Sequence, residues 1–336
     1  MRGRTLMMAM GLALAMPQVV AAQEVAAQEA TPLSLAALRA TYGNSASRYV
    51  TLDGVEIHYR DEGPRDARPV LLAHASYNNL SSWDPLVARL KGQFRLIRFD
   101  FPSQGLSGDE TRVPPGGKFD LVDRNAEIML KLADALGLAR FDLVATSSGG
   151  NAAMRLAARH PERLNRLVFI NSGGMPRTPQ SDPNRDKPGE ARWEGMTYKP
   201  RDFWAYSTGL NFPSGPMPEW YLDLLTDLNR RQKTFRPGLY SFATGDTQAT
   251  LGNIRTPTLI MWGMANPTVM HLEADVMSHW MTGAPTLVRK YKGLGHYPYV
   301  EAPDVIADDL RRYLRGELDE ELRQTLRVKV PVTARP

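Results

Sequence analysis

Phe141-Asp-Leu-Val-Ala-Thr-Ser-Ser-Gly-Gly-Asn-Ala-Ala-Met-Arg-Leu156 is the stretch whose reading decides the fold. Phe141 to Ala145 is apolar but for one charge and reads as a buried strand. Asn151 to Arg159, rich in Ala, Leu, Met and Arg, reads as a helix. A strand that turns directly into a helix needs small residues around the turn. Ala145 and Gly149 stand two positions either side of Ser147, the spacing of a G-x-S-x-G nucleophile elbow with Ala in the first Gly position. Such a turn lifts the Ser147 hydroxyl out of the sheet and points the free N–H groups of the helix start at the same spot. The motif alone is also compatible with Ser147 and Ser148 acting only as helix caps.

The segments around this stretch alternate strand and helix. Arg48–Leu52 and Val55–Arg60 flank Asp53-Gly54, a hairpin signal. Pro69–His74, Phe94–Phe101, Leu167–Ile170, Pro257–Trp262 and Thr286–Tyr291 read as strands. Ser81–Leu90, Asp120–Leu138 and Ala302–Leu314 read as helices, and Leu33–Tyr42 as a short one. This alternation implies a mostly parallel sheet covered on both faces. The segment from Asn171 to Arg255 breaks it. It is rich in Gly, Pro and aromatics and lacks a strong strand, as expected of a helical cap inserted over the carboxyl edge of the sheet, where open α/β sheets bind ligands. Most of its aromatics hold such a cap together. Trp204 and Trp220 are the candidates for its pocket-facing side.

The expected division is a signal peptide over 1–22, a leader over 23–46, core segments over 47–171 and 256–316, a cap over 172–255 and a tail over 317–336. Arg2 and Arg4, the apolar run Thr5–Met16 and Val20-Ala21-Ala22 read as a secretory signal cleaved after Ala22, leaving a periplasmic or secreted protein with no stable membrane anchor. With no cysteine, the exported chain has no disulfides to draw on. The net charge of +5 is mild and no dense Lys/Arg run appears, which argues against a nucleic-acid partner and leaves a small-molecule substrate.

Four more stretches follow predicted strands and so lie on the same edge as Ser147. They are His74-Ala-Ser-Tyr-Asn-Asn79 with Ser82 and Trp83, Asp100-Phe-Pro-Ser-Gln-Gly-Leu-Ser107, Trp262-Gly-Met-Ala-Asn266-Pro267, and Gly293-Leu-Gly-His-Tyr-Pro-Tyr-Val-Glu-Ala-Pro303. With the elbow they resemble the α/β-hydrolase superfamily over roughly Arg48–Leu314, in the capped branch that includes esterases, lactonases and carbon–carbon hydrolases. The resemblance implies an α/β fold with a mostly parallel eight-stranded sheet, helices on both faces and an inserted helical cap. It implies Ser147 as nucleophile, His296 as general base, and the backbone N–H groups of Ser76 and Ser148 as the oxyanion hole, with no cofactor or metal. Asp100 and Glu301 match loop-shaping positions, and His74 a structural one.

One departure stands out. The family's acid falls at position 266, here Asn266, and the alternative acid position at the end of the strand Leu167–Ile170 is Asn171. An Asn can orient an imidazole but cannot stabilise imidazolium by charge; the corresponding Asp-to-Asn change in a serine protease lowers kcat about ten-thousand-fold. Three readings follow: a Ser-His-Asn triad, a carboxylate arriving from elsewhere such as Asp246 in the cap, or a ligand-binding protein with a weakened triad. The expected activity is cleavage of a carboxylic ester or lactone through an acyl-enzyme on Ser147, with carbon–carbon bond hydrolysis as the alternative on the same fold.

Overall fold

A computed structural model describes residues 31–110, 112, 120–175, 188–231 and 247–328. The expected signal peptide and Asp246 lie outside these residues. Eight strands form one sheet: β1 (Ser47–Leu52), β2 (Val55–Glu62), β3 (Pro69–Ala73), β4 (Arg95–Phe99), β5 (Phe141–Thr146), β6 (Leu164–Ile170), β7 (Thr258–Gly263) and β8 (Thr286–Tyr291). Their spatial order is β1-β2-β4-β3-β5-β6-β7-β8. β1 and β2 pair antiparallel, as do β2 and β4, and the other pairs are parallel. The β1–β2 turn is made by Asp53 and Gly54, at φ 50° and 82°. Positive φ at both central residues is what a two-residue turn needs to match strand twist.

Alternate strand residues go to opposite faces. Leu71, Leu143, Phe169 and Ile260 pack with Ile128, Met129 and Leu132 of α3 (Leu121–Ala135), with Leu156 of α4 (Ser147–Arg159) and with Met277 of the helix Leu272–Trp280. Leu72, Val144, Val168 and Leu259 face α2 (Asp84–Leu90) and the helix Pro303–Arg315, through Val87 and Leu310 among others. Every residue of β5 and β7 is buried, so the strands that carry Ser147 and lead to Asn266 run through the centre of the core. The helix expected over 81–90 begins as a 3-10 turn, Leu80–Trp83, capped by Asn79, whose Oδ1 accepts the Ser81 N–H; Ser82 turns its hydroxyl back to Asn79 O.

The described part of the cap is helical: α5 (Arg201–Ser207), α6 (Glu219–Leu228) and 3-10 turns at Pro188–Trp193, Gly209–Asn211 and Asn229–Arg231. Residues 247–254, assigned to the cap from sequence, carry Leu251 and Ile254 into the core beneath the sheet. The tail begins with a helix, Asp319–Val328. Leu318 and Leu322 enter the core there, and Arg166 pairs with Asp319, so the start of the tail is part of the domain. Before β1, α1 (Leu35–Tyr42) packs Leu38 against Leu224 and Leu228 of the cap.

Candidate active site

Ser147 is the first residue of α4 and has φ 50°, a left-handed conformation costly for a side chain bearing a Cβ and found where surrounding structure enforces it. The enforcement is visible. Ser147 N–H donates to Asn171 O at 3.2 Å and Ser147 O accepts from Gly173 N at 2.8 Å. The helix start is pressed so close to its neighbours that a Cβ on Gly149 would sit 2.5 Å from His74 O, and one on Gly150 2.2 Å from Ser172 Oγ. The small residues of the elbow are therefore demanded by packing, and the cap-only reading of Ser147 does not account for its strained backbone.

The loop after β3 brings Ser76 beside Ser148, with the two hydroxyls 2.8 Å apart. The residues expected to supply the oxyanion N–H groups are thus neighbours. His74 supports this loop from within: its Nδ1 is 2.7 Å from Ala75 O and its Nε2 accepts the Phe101 N–H at 3.1 Å. Burial lowers its pKa, so it serves as a neutral brace. Asp100 accepts from Leu80 N, Leu106 N and His58 Nδ1 at 2.7–2.8 Å. Burial works against its charge, yet its hydrogen bonds with His58 and the Leu106 N–H bring its pKa below the usual carboxylate value.

His296 is buried, with Nδ1 3.2 Å from Asn266 Oδ1. The same oxygen accepts the N–H groups of Thr268 at 2.9 Å and Val269 at 3.2 Å. Those two donors settle the orientation of the amide, since an NH2 group in that place would oppose them. Asn266 Oδ1 can only accept, so Nδ1 of His296 carries the proton and Nε2 presents a lone pair. Neither that nitrogen nor the Ser147 hydroxyl has a hydrogen-bond partner among the described residues. Burial pushes the His296 pKa down to about 3, and no other influence opposes it. Glu301 does not serve as the missing acid: its carboxylate accepts from Gly295 N at 2.8 Å and from Ser214 Oγ at 2.6 Å. It holds the backbone before His296 to the cap.

Asn171, at the alternative acid position, has a role that the sequence reading missed. It sits at φ 45°. Its Nδ2 donates to Gly295 O and His296 O, both at 2.9 Å, and its Oδ1 accepts from Gly263 N at 2.9 Å. With the bond from Ser147, one buried residue ties the Ser147 turn, the end of β7 and the His296 loop together. A carboxylate there would turn an oxygen against two carbonyls. The available clue was an Asn, which tolerates positive φ, ending a buried strand just before Ser-Gly-Gly.

The cap closes over these loops. Asn211 O accepts the His296 N–H at 3.0 Å, and Asn211 Oδ1 accepts from Thr268 Oγ1 at 2.6 Å. Trp204 is buried with its ring centroid 5.6 Å from that of Tyr77. Trp220, expected to face the pocket, is 39% exposed and lies against Tyr221. One residue along a helix is a rotation of about 100°, and it is Tyr221 that points inward. A surface cavity of about 490 Å³ lined by Arg48, Arg65, Arg95 and Asp61 lies at the opposite edge of the sheet, where Asp61 takes up Arg65 and Arg95.

The comparisons agree with this architecture. The model of the alpha/beta hydrolase family matches residues 70–309, and the chain belongs to that family. RutD of Caulobacter segnis, a candidate carbamate hydrolase, is 34% identical over 128 residues; the match takes in 38% of this chain and 46% of RutD, just under half its length. Carboxylesterase YbfK of Bacillus subtilis is 23% identical over 273 residues, covering 81% of this chain and 88% of that protein. Among solved structures, a bacterial membrane phospholipase A superposes with a TM-score of 0.68 at 24% identity, over 84% of this chain and 90% of that one; this likeness is one of fold.

A buried neutral histidine links the site to stability. In the unfolded chain His296 binds a proton near its ordinary pKa of about 6.5, whereas in the folded protein it resists protonation down to about 3. The unfolded state therefore binds more protons between these values, and stability falls as pH drops from 6.5 toward 3. Replacing His296 with Gln should remove this contribution. The difference in unfolding free energy between wild type and His296→Gln, followed by denaturant titration, should slope over that pH window; a flat difference refutes the assignment.

Proposed function

We propose that this chain is an exported serine hydrolase that cleaves a carboxylic ester or lactone through an acyl-enzyme on Ser147. The observation that carries the reading is the joint geometry of the strained Ser147 turn and the buried His296–Asn266 pair. In this mechanism Ser147 Oγ attacks the substrate carbonyl while His296 Nε2 takes its proton. The oxyanion forms beside Ser76 N–H and Ser148 N–H, donors of a kind worth about 3 kcal/mol each elsewhere. The carbonyl–oxygen bond then breaks, and the leaving oxygen takes the proton from His296. Water, deprotonated by the same nitrogen, releases the acid and restores Ser147. The carboxylesterase relative supports ester chemistry by analogy.

The test is labelling and turnover. Wild type should take a fluorophosphonate probe on Ser147, seen by mass spectrometry, and hydrolyse short p-nitrophenyl esters or lactones. Ser147→Ala should lose both, and His296→Ala most of both. Full turnover by Ser147→Ala sinks the proposal, and turnover of a carbon–carbon substrate in place of every ester and lactone redirects it to the alternative bond.

Asn266 sets a second expectation. Its Oδ1 already accepts three N–H groups, and its Nδ2 is buried without a partner among the described residues. Asn266→Asp therefore keeps those acceptances, nearly preserves volume, and adds charge where imidazolium develops. We expect kcat on an activated ester to rise about tenfold or more, equivalent to roughly 1.4 kcal/mol of barrier. The acidic limb of the rate profile should move up toward neutrality, because the carboxylate raises the His296 pKa. No gain from Asp together with no loss from Asn266→Ala excludes Asn266 from the triad.

Export belongs to the same proposal and rests on Arg2, Arg4, the apolar run and Val20-Ala21-Ala22. N-terminal sequencing of the periplasmic or secreted fraction should begin at Gln23; an intact Met1 there refutes cleavage.

A further inference from the structure

The loop that carries Ser76 needs outside support. It leaves β3 at Ala73, and Tyr77 within it has φ 61°, a conformation that costs a bulky residue free energy and persists only where its surroundings hold it. From the core side, Asn78 N donates to Ala75 O at 3.1 Å and His74 braces the same carbonyl. Two further bonds come from the cap. Asn229 Nδ2 donates to Tyr77 O at 2.8 Å, and Tyr221 OH donates to Asn78 Oδ1 at 2.8 Å. Both cap residues are buried. The Asn229 amide also donates to Leu225 O at 2.7 Å, so its NH2 group faces two carbonyls and cannot be exchanged with its oxygen without repulsion.

These two residues belong to α6 and the turn that follows it, and that helix is held from behind. Leu224 and Leu228 pack on Leu38 of α1, Tyr42 OH donates to Asp227 Oδ2 at 2.6 Å, and Arg230 donates to Thr31 O at 2.5 Å. Residues 31–42, which precede the sheet, thus press one cap helix against the oxyanion loop.

Resting on the serine-hydrolase reading above, we propose that Asn229 and Tyr221 are positioning residues for the oxyanion hole, fixing the Ser76 N–H through the two residues that follow it. The second oxyanion donor is then set by cap and core together. Losing either bond lets the Tyr77 turn relax and moves the donor, which lowers transition-state stabilisation while leaving ground-state binding in place.

The experiment uses the full chain and compares wild type with Asn229→Asp and Tyr221→Phe. The Asp variant replaces a donor facing two carbonyls by an acceptor, and the Phe variant removes one hydroxyl. Readouts are kcat and KM on a p-nitrophenyl ester, the inhibition constant of phenylboronic acid, and Tm. The boronic acid forms a bond from boron to Ser147 Oγ, the serine proton passing to His296, and its tetrahedral anion presents an oxygen to the hole. For Asn229→Asp we expect kcat to fall about tenfold or more with KM within about twofold, and boronate affinity to fall in parallel. Tyr221→Phe should show the same pattern with a smaller loss, and it carries the test if the Asp variant does not fold. Unchanged kcat and boronate affinity in a folded variant, or a lowered Tm with unchanged kcat, overturns the proposal. Wild type that neither turns over nor binds the boronate overturns the hydrolase reading, a result distinct from an active wild type whose variants behave like it.

Discussion

Three loops from three strands must meet for this site to exist, and the buried side chain of Asn171 is where they are joined. Its amide presents donors and an acceptor at once, which no carboxylate does. It spends the donors on the carbonyls of Gly295 and His296 and the acceptor on Gly263 N–H, while its own carbonyl receives Ser147 N–H. Gly263, Gly295 and His296 are buried, so their backbone groups would cost free energy if left unpaired. The elbow, the histidine loop and the end of β7 therefore cannot drift independently. Asn171 is placed by its own bond to Met261 O and by its left-handed backbone, which ends β6 and turns the chain out of the sheet toward the cap.

The candidate base is organised by shape more than by charge. Asn266 supplies a hydrogen-bond acceptor that selects one tautomer of His296, and two backbone N–H groups keep that acceptor facing the ring. What is missing is a negative charge to offset burial. With desolvation unopposed, the imidazole stays neutral far below its ordinary range, so it holds its lone pair ready across the physiological range but accepts a proton reluctantly. Strong orientation combined with weak basicity is what a carboxylate-shaped socket filled by an amide produces.

The cap does structural service for the core. Asn211 O accepts the His296 N–H, Ser214 donates to one oxygen of Glu301, and Tyr221 with Asn229 reaches the Ser76 loop. Phe212, Tyr221 and Tyr297 form one aromatic cluster across the boundary, with ring centroids 5.5 Å apart. The edge-on contact of Phe212 with Tyr221 adds to plain area burial. Cap and core therefore share one apolar cluster, while Leu38 of α1 packs with Leu224 and Leu228 of the cap in a second one.

The sequence by itself determined the sheet. Runs such as Phe141–Thr146, with Asp142 its one charge, and Thr258–Gly263 are largely apolar because central parallel strands are buried on both faces, and that property can be read without coordinates. It also determined the elbow and the histidine loop, since small residues around Ser147 and His296 are local steric requirements. Trp220 was misread because an aromatic on a helix declares its hydrophobicity but not the side it faces, and a single residue step exchanged it for Tyr221. Asn171 and Asn229 were illegible for a different reason. Their worth lies in bonds to backbone groups 92–152 positions away in the chain, and an amide side chain carries no pattern or period that announces such partners. Only the tertiary structure, by bringing those carbonyls and N–H groups within 3 Å, decided what the two asparagines do.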